Sequence, residues 1–419
     1  MKFHYSCSVC GAGYNLQEVS YTCRKCGETG LLDVIYDYDA LKKKGWLSRS
    51  RNAPVRYQKI LPIVKTLKNS DVPLQVGDSP VYNLRVWEKS FSQKGVLLFD
   101  DTGNPTASYK DRASVIACIR AREEREPVIT CASTGNAGSS LAGMTAAFRL
   151  KSIIFVPETA PVAKIVQLMI FGAKLFRVAG NYDTAYDLCL EATKKFGWYN
   201  RSTGFNPILL EGKKTSALEI FEKCRLPDRI YVPVGDGCII GGVYKGFLDL
   251  KRLGLISEIP FLVGVQAAGS DSYCRSVKAG YKLMQVAAET VADSISVDIP
   301  RAFSQAIRIA KEKKGHFMTV SDSEIQAAQR KLAAESGVFA EPAAAAAAAG
   351  FIRERESGIL NGRESVLLLI TGNGLKDVKS VLSYLTLPEP VKPKLAVIEA
   401  MLEKSMIHNP IKGVETCLK

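Results

Sequence analysis

The chain has 419 residues, of which 47% are hydrophobic and 23% charged, and its formal net charge is +14. That length allows two or three domains, and the composition is that of an ordinary globular protein. No apolar stretch reaches the roughly 18–20 residues that cross a bilayer, and the segment from Met1 to Tyr5 lacks the apolar core of a signal peptide. These features argue against a membrane protein and predict a soluble protein of the cytoplasm.

The eleven cysteines and the many basic residues each bear on the class of protein. An odd number of cysteines over a long chain does not fit a secreted disulfide framework and favours a reducing compartment. The basic residues are scattered along the chain rather than grouped in long runs. We interpret most of them as a solvated surface, with attraction of anionic partners as the alternative.

Two cysteine pairs open the chain, Cys7-x-x-Cys10 and Cys23-x-x-Cys26, with residues 11–22 between them. Pairs at this spacing place four thiolates tetrahedrally around Zn²⁺. With no open coordination position, such a metal is structural rather than catalytic. We therefore predict a zinc ribbon over residues 1–45 and a basic connector over 46–75. The alternatives are a metal-free remnant, redox-active thiols or a ribbon that binds nucleic acid.

From about residue 76, short apolar strands alternate with amphipathic helices, which predicts an α/β fold with parallel sheets covered on both faces. The predicted strands are 96–99, 128–131, 152–156, 174–178, 229–234, 261–266 and 366–370, and the predicted helices are 111–122, 137–149, 162–171 and 182–195. Binding sites in such sheets lie at the carboxyl ends of the strands. The alanine run 343–349 predicts a tightly packed helix. We expect the catalytic domain to cover 76–385 and a helical tail to cover 386–419.

The segment from Asp101 to Arg112 joins a strand to a helix and contains Lys110. We expect Ser108 to cap this helix in a capping box with Asp111, which puts Lys110 in the first turn. The positive end of a helix dipole disfavours an ammonium ion there. A lysine that readily gives up its proton is suited to Schiff-base chemistry, although a lysine near a helix start is more often a surface charge.

The motif Asn104-Pro-Thr-Ala-Ser-Tyr-Lys110-Asp-Arg112 resembles the lysine motif of threonine synthases, within the tryptophan-synthase-β-like family of pyridoxal-phosphate enzymes. The resemblance continues in family order from residue 76 to residue 385. It includes Ser133-Thr-Gly-Asn136, Glu211-Gly-Lys-Lys-Thr215, Gly235-Asp-Gly-Cys-Ile-Ile-Gly241, Glu341-Pro342 and Thr371-Gly-Asn-Gly. It implies two doubly wound open-sheet subdomains with the cofactor between them, the smaller inserted at about 108–200. It also implies a homodimer.

The resemblance implies a role for each motif. Lys110 is the lysine that holds pyridoxal phosphate and then acts as general base. Asn136 bonds the phenolic oxygen of the cofactor, and the hydroxyl of Thr371 faces the pyridine nitrogen. Donors that suit a substrate carboxylate are Ser133, Thr134 and Gly135. The loop that closes on the cofactor phosphate contains Gly235, Asp236, Gly237, Cys238 and Ile239.

Asp236 departs from the family pattern, in which this position is often asparagine. A carboxylate would repel the phosphate, so we expect it to point away or to bond to backbone. The histidines His4, His316 and His408 lie outside every motif, and we interpret them as structural.

The segment from Asn206 to Thr215 resembles the substrate-phosphate region of the family, and Asn206 is our candidate substrate ligand there. Many threonine synthases carry arginine just before the Glu-Gly pair, where this chain has Leu209 and Leu210. Loss of a bidentate phosphate donor lowers affinity for a phosphorylated substrate. Cations or amides that could compensate are Asn206, Lys213, Lys214 and Arg201. Arg301 is a further candidate anion contact.

Three functions therefore remain open from the sequence. The first is a threonine synthase acting on O-phosphohomoserine, a small phosphorylated amino acid. The second is a related serine/threonine dehydratase, ammonia-lyase or cysteate-synthase-like β-replacement enzyme. The third is a zinc-ribbon nucleic-acid-binding protein with an inert enzyme-like body, which the intact Lys110, Asn136 and Thr371 disfavour.

Overall fold

The computed structural model describes residues 3–19, 21–133 and 135–408, and for 403–408 it describes the backbone alone. The chain divides into two compact units, which part between Asp377 and Val378. Within the described ranges, no helix is both long and apolar enough to cross a membrane. The second unit contains α16 (Val378–Leu382) and α17 (Leu395–His408).

The first unit opens with a four-stranded antiparallel sheet of order β2-β1-β4-β3. Its elements are β1 (Phe3–Cys7), β2 (Gly13–Tyr14), β3 (Thr22–Cys23), β4 (Gly27–Tyr36) and the following helix α1 (Tyr38–Lys44). This arrangement is compatible with the predicted ribbon. The connector contains α2 (Ala53–Arg56) and the short 3-10 turns Gln58–Ile60 and Asn69–Asp71.

The larger α/β sheet has six strands in the order β13-β12-β11-β14-β6-β5, all parallel except β5 at one edge. Its strands are β5 (Val81–Asn83), β6 (Val96–Asp100), β11 (Arg229–Pro233), β12 (Phe261–Ala267), β13 (Gly315–Val320) and β14 (Val366–Ile370). Every residue of β14, in the middle of the sheet, is buried. The helices of this part are α3 (Arg85–Ser90), α8 (Ile208–Lys213), α9 (Thr215–Lys223), α10 (Cys238–Arg252), α11 (Ser272–Lys278), α12 (Phe303–Ala306), α13 (Arg308–Lys311), α14 (Asp322–Ser336) and α15 (Pro342–Glu356).

A smaller parallel sheet of order β10-β7-β8-β9 lies within the predicted insertion. It contains β7 (Val128–Ala132), β8 (Lys151–Pro157), β9 (Lys174–Val178) and β10 (Tyr199–Asn200), and its helices are α4 (Asp111–Glu124), α5 (Asn136–Phe148), α6 (Val162–Met169) and α7 (Tyr182–Phe196). The predicted α/β fold with two open sheets is confirmed.

Three strands of the two α/β sheets were missed by the sequence pattern, namely β5, β10 and β13. The first two have three and two residues, which is too short for a periodic signal. Strand β13 is an edge strand with four partly exposed residues and a mixed composition, so it lacks the apolar run of a central strand.

The alanine run predicted to form a helix lies in α15, where Ala343 to Ala349 are all buried. Small side chains allow this helix to lie directly against the sheet. A Cβ added at Gly350 would come within 2.5 Å of a Val265 methyl carbon. The prediction of a tightly packed helix is confirmed.

A buried charge cluster joins α4, the helix that follows β6, to α9. The guanidinium of Arg112 is fully buried and donates to both carboxylate oxygens of Asp101 at 2.7 and 2.8 Å. It also donates to both oxygens of Glu219 at 3.0 Å and to the hydroxyls of Ser79 and Thr215 at 2.9 Å. Two buried carboxylates thus depend on one guanidinium.

We expect Arg112→Met to lower the free energy of unfolding by about 3–5 kcal/mol, because Asp101 and Glu219 would be left buried without a counter-charge. Urea unfolding followed by circular dichroism measures this. The matched control is Arg51→Met, since Arg51 pairs with Asp78 through a side chain that is 83% exposed. Its loss should cost at most about 1 kcal/mol. Equal effects of the two substitutions would contradict a structural role for the cluster.

Candidate active site

A cleft of about 400 Å³ lies where strands of both α/β sheets end. Lys110 follows β6, Asn136 follows β7, Gly235 follows β11 and Thr371 follows β14, each at the carboxyl end of its strand. The predicted site residues that line this cleft are Lys110, Ser133, Gly135, Asn136, Gly235, Asp236, Gly237, Cys238, Ile239 and Thr371. Thr134 lies outside the described residues.

Lys110 occupies the position just before α4. The pKa of its ammonium is lowered from 10.5 to about 8, mainly because the surrounding protein removes water and also because of the positive charges of Lys213 and Arg201, while Cys238 opposes the shift. The helix start adds a positive dipole end. Lys110 is therefore able to act as a neutral amine near physiological pH.

The predicted capping role of Ser108 is wrong. Helix α4 starts at Asp111 with Lys110 at its N-cap position and no side-chain cap. The Asp111 carboxylate instead accepts from the amide and hydroxyl of Thr106, at 2.7 and 2.5 Å. The intervening Ala107 has a φ of 59°, which folds the loop back onto Asp111. The Ser108 hydroxyl is buried without a hydrogen-bond partner in the described structure.

The glycine loop opens α10, a 15-residue helix that starts at Cys238 and has no side-chain cap at its N-terminus. Gly237 has a φ of +87°, and a Cβ there would come within 2.0 Å of the Tyr273 hydroxyl. A Cβ at Gly235 would come within 2.7 Å of the Ile295 Cα. Only glycine fits these positions, and the free amides at the helix start suit an anion.

Asp236 turns its carboxylate toward backbone, as the sequence analysis expects. Its oxygens accept from the amide of Arg301 at 2.7 Å and from the thiol of Cys238 at 3.4 Å. The carboxylate is therefore hydrogen-bonded within the protein, and it links the segment before α12 to the glycine loop.

A carboxylate whose role the sequence left unassigned faces Asn136. The amide nitrogen of Asn136 donates to both oxygens of Glu341 at 2.9 Å and to the hydroxyl of Ser294 at 3.1 Å. Burial raises the pKa of Glu341, while its bond to Asn136 and the charge of Lys110 oppose that rise. The Glu341-Pro342 motif marked the position, but only the fold shows that it orients Asn136.

The segment around Arg301 closes another side of the cleft. Arg301 donates to Asp183 at 2.5 Å, and its guanidinium lies 4.6 Å from the ring centre of Tyr186. Arg301 and Asp183 both line the cleft, as does Tyr182. Asp183 and Tyr182 lie at the start of α7, outside every motif, so no signal in the sequence pointed to them.

Asn206 does not line this cleft. Its amide nitrogen donates to the carbonyl of Asn200 at 2.7 Å, and its oxygen accepts from the amide of Ile208 at 3.0 Å. The role of Asn206 in substrate binding remains a prediction, although both ends of its side chain are already engaged.

The four N-terminal cysteines come together in the ribbon sheet. The sulfur atoms of Cys7, Cys10, Cys23 and Cys26 all lie within 4.8 Å of one another. The sulfurs of Cys10 and Cys23 are 3.7 Å apart, close to the roughly 3.8 Å that a tetrahedral site with 2.3 Å zinc–sulfur bonds requires. This donor set fits a metal ion.

The sequence of the chain is similar to those of two proteins named threonine synthase. Over 406 residues the chain is 34% identical to the threonine synthase of Methanocaldococcus jannaschii, covering 95% of this chain and 99% of that protein. It is 33% identical to the threonine synthase of Methanosarcina acetivorans, covering 96% and 100%.

Solved structures share the fold at lower identity. A fungal L-serine ammonia-lyase from Rhizomucor miehei superposes with a TM-score of 0.65 at 20% identity, covering 74% of this chain and 97% of that one. The processed form of threonine deaminase isoform 2 from Solanum lycopersicum gives 0.63 at 21%, covering 75% and 88%.

The family model described as pyridoxal-phosphate dependent enzyme matches residues 72–372, which contain Lys110, the glycine loop and Thr371. With a lysine of lowered pKa that shares a cleft with the glycine loop, the chain belongs to the family of pyridoxal-phosphate-dependent enzymes.

Proposed function

We propose that this protein is a threonine synthase, which converts O-phosphohomoserine and water to threonine and inorganic phosphate. The phosphate leaves from the γ-carbon, and water adds at the β-carbon. Support comes from the Lys110 cleft together with nearly full-length similarity to proteins named threonine synthase. The same interpretation includes a cytoplasmic homodimer with a structural zinc ribbon.

The residues of the cleft fit pyridoxal phosphate. Lys110 is the amine that would hold the cofactor, and the uncapped start of α10 with its glycine loop would hold the phosphate. Asn136 would face the phenolic oxygen, and Thr371 the ring nitrogen. When bound, the cofactor supplies an electron sink for carbanions next to the substrate nitrogen.

The proton transfers fall to Lys110. Its neutral amine accepts the α-proton of the bound substrate, and the resulting ammonium returns a proton at a later step. The hydroxyl and amide donors of Ser133, Thr134 and Gly135 would hold the substrate carboxylate. Glu341 fixes the orientation of Asn136 through its paired hydrogen bonds.

A dehydratase or ammonia-lyase is the second candidate. Leu209 and Leu210 stand where many threonine synthases carry a phosphate-binding arginine. A related enzyme acting on free serine or threonine would not need that arginine.

The test of the proposed function is phosphate release from O-phosphohomoserine with equimolar formation of threonine. Lys110→Ala should abolish turnover, because it removes both the cofactor linkage and the base. The control Lys151→Ala, at an exposed position outside the cleft, should leave it unchanged. Ammonia and a keto acid from free serine or threonine, with no phosphate release, would select the dehydratase instead.

We also expect the rate at which the cofactor-free protein captures pyridoxal phosphate to rise with pH around a midpoint near 8. Only the neutral amine attacks an aldehyde, and the pKa of Lys110 is lowered to about 8. Below that pH the ammonium predominates and capture slows. Growth of the visible absorbance band of the bound cofactor measures the rate. A midpoint near 10.5 would contradict a desolvated lysine.

For the ribbon we expect close to one zinc ion per chain by elemental analysis and a lower melting temperature after chelation. Cys23→Ser should lose the metal because it removes a buried ligand. The control Cys224→Ser, whose thiol donates to the carbonyl of Ile220 and lies outside the cysteine cluster, should retain it. Full stability in a metal-free protein would show that the thiols have another role.

A further inference from the structure

Leu31, in β4 of the N-terminal ribbon, packs against the wall of the cleft. It forms a separate buried apolar cluster with Ala302 and with Cys238, the first residue of α10. Leu31 and Cys238 also line a small pocket together. Since Cys238 lines the cleft as well, the residue that begins this helix has the cleft on one side and the ribbon on another.

Ala302 belongs to the segment that holds the glycine loop in place. Its amide donates to the carbonyl of Asp236 at 3.2 Å, next to the Arg301 amide that donates to the Asp236 carboxylate at 2.7 Å. A Cβ at Gly237 would lie 2.9 Å from the Cβ of Ala306, so α12 packs directly against the loop. The apolar cluster therefore includes a residue that is hydrogen-bonded to the glycine loop.

Polar contacts hold the ribbon against α12, the helix next to the glycine loop. The hydroxyls of Ser8 and Ser304 are 2.8 Å apart. The side-chain amide of Gln305 donates to the carbonyl of Leu32 at 3.1 Å and to the carboxylate of Asp33 at 2.9 Å. The strand that carries the apolar contact is therefore fixed against the segment that adjoins the loop.

Leu31 is also fixed from within the ribbon. The preceding residue, Gly30, lies among the cysteines, because a Cβ there would come within 2.6 Å of the Cβ atoms of Cys23 and Cys26. The amide of Ser8 donates to the carbonyl of Leu31 at 2.8 Å. The position of Leu31 is therefore set by the backbone around the four-cysteine cluster.

The chemistry of this contact suits a loop that binds an anion. Burial raises the pKa of the Cys238 thiol to about 11, so the group stays uncharged at neutral pH. A leucine side chain brings no charge and no hydrogen-bonding group, so it can fix the loop without competing for the loop amides. A loop that is ordered in its binding conformation binds more tightly than one that adopts this conformation only part of the time.

We propose that Leu31 is a positioning residue through which the ribbon holds the glycine loop in the conformation that binds the cofactor phosphate. Within the described residues Leu31 is not part of the cleft lining, so it acts through Cys238 and Ala302. The inference rests on the proposed function only in that the glycine loop holds the phosphate of pyridoxal phosphate, whichever amino acid is the substrate.

The experiment measures the dissociation constant of pyridoxal phosphate for Leu31→Ala, Leu31→Val and Leu31→Met in the full-length protein after removal of the cofactor. We expect Leu31→Ala to raise this constant roughly 5- to 30-fold, because the truncated side chain lets the loop adopt conformations that do not bind. Leu31→Val should raise it less. Leu31→Met, which nearly conserves the volume, should stay within about threefold of wild type.

The matched control is Leu32→Ala, at the next residue of β4. Leu32 is also buried, but it belongs to a different apolar cluster, which includes Val34 and Tyr36. The control removes the same atoms as Leu31→Ala. It should lower the melting temperature and yet keep the dissociation constant of pyridoxal phosphate within about threefold of wild type.

Hydrogen–deuterium exchange of the peptide that contains residues 235–241 reports on the loop without the cofactor. In the cofactor-free protein we expect Leu31→Ala to increase deuterium uptake there and Leu32→Ala to leave it as in wild type. The comparison separates loss of loop order from a general loss of stability. Should Leu31→Ala fail to fold, Leu31→Val and Leu32→Val replace the alanine variants.

Two results would overturn the inference. The first is a Leu31→Ala protein with wild-type affinity for pyridoxal phosphate and wild-type uptake in the loop. The second is equal loss of affinity in Leu31→Ala and Leu32→Ala, which would make the contact a part of general stability. A wild-type protein that does not bind pyridoxal phosphate would contradict the proposed function, while deuterium uptake would still decide whether Leu31 positions the loop.

Discussion

A positively charged side chain that is buried away from water needs an anionic partner or tends to lose its proton, because an unpaired buried ion is costly. This constraint accounts for the main features of the molecule. Arg112 is paired with two carboxylates and so joins α4 to α9. For Lys110, burial instead lowers the pKa to about 8, so that its amine loses the proton more easily. Burial likewise lowers the pKa of Lys213, whose ammonium is fully buried.

The same constraint ties the N-terminal ribbon to the catalytic body. The hydroxyl of Tyr36, the last residue of β4, donates to Glu211 at 2.6 Å, and the ammonium of Lys214 lies 4.2 Å from the Tyr36 ring centre. Gln305 of α12 donates to Asp33 of the ribbon at 2.9 Å. The ribbon therefore packs against the segment that follows Arg301 in the cleft wall.

Within the cleft, the protein holds several of the lining groups in fixed positions. The glycine loop is held by the close approach of Tyr273 and Ile295, so its amides cannot be covered by side chains. Asp236 is anchored to the Arg301 amide, and Asn136 to Glu341. Asp236 and Asn136, which line the cleft with Lys110, are thus each fixed by a group from a distant part of the chain. Such preorganisation reduces the cost of orienting a substrate.

The sequence by itself determined the α/β class, most strands and helices, the cysteine cluster and the residues at the strand ends around Lys110. These follow from local signals: apolar runs, glycine positions and motif spacing act over a few residues. The cap of α4 was misassigned because Thr106 competes for Asp111 through a loop bend that the residue types do not specify. Only the tertiary structure decided which cations are paired. Lys213 and Lys214 look alike in the sequence, but of the two only Lys214 forms an ion pair with Asp249 of α10 within the described residues. Its pairing therefore depends on packing against a segment far away in the chain.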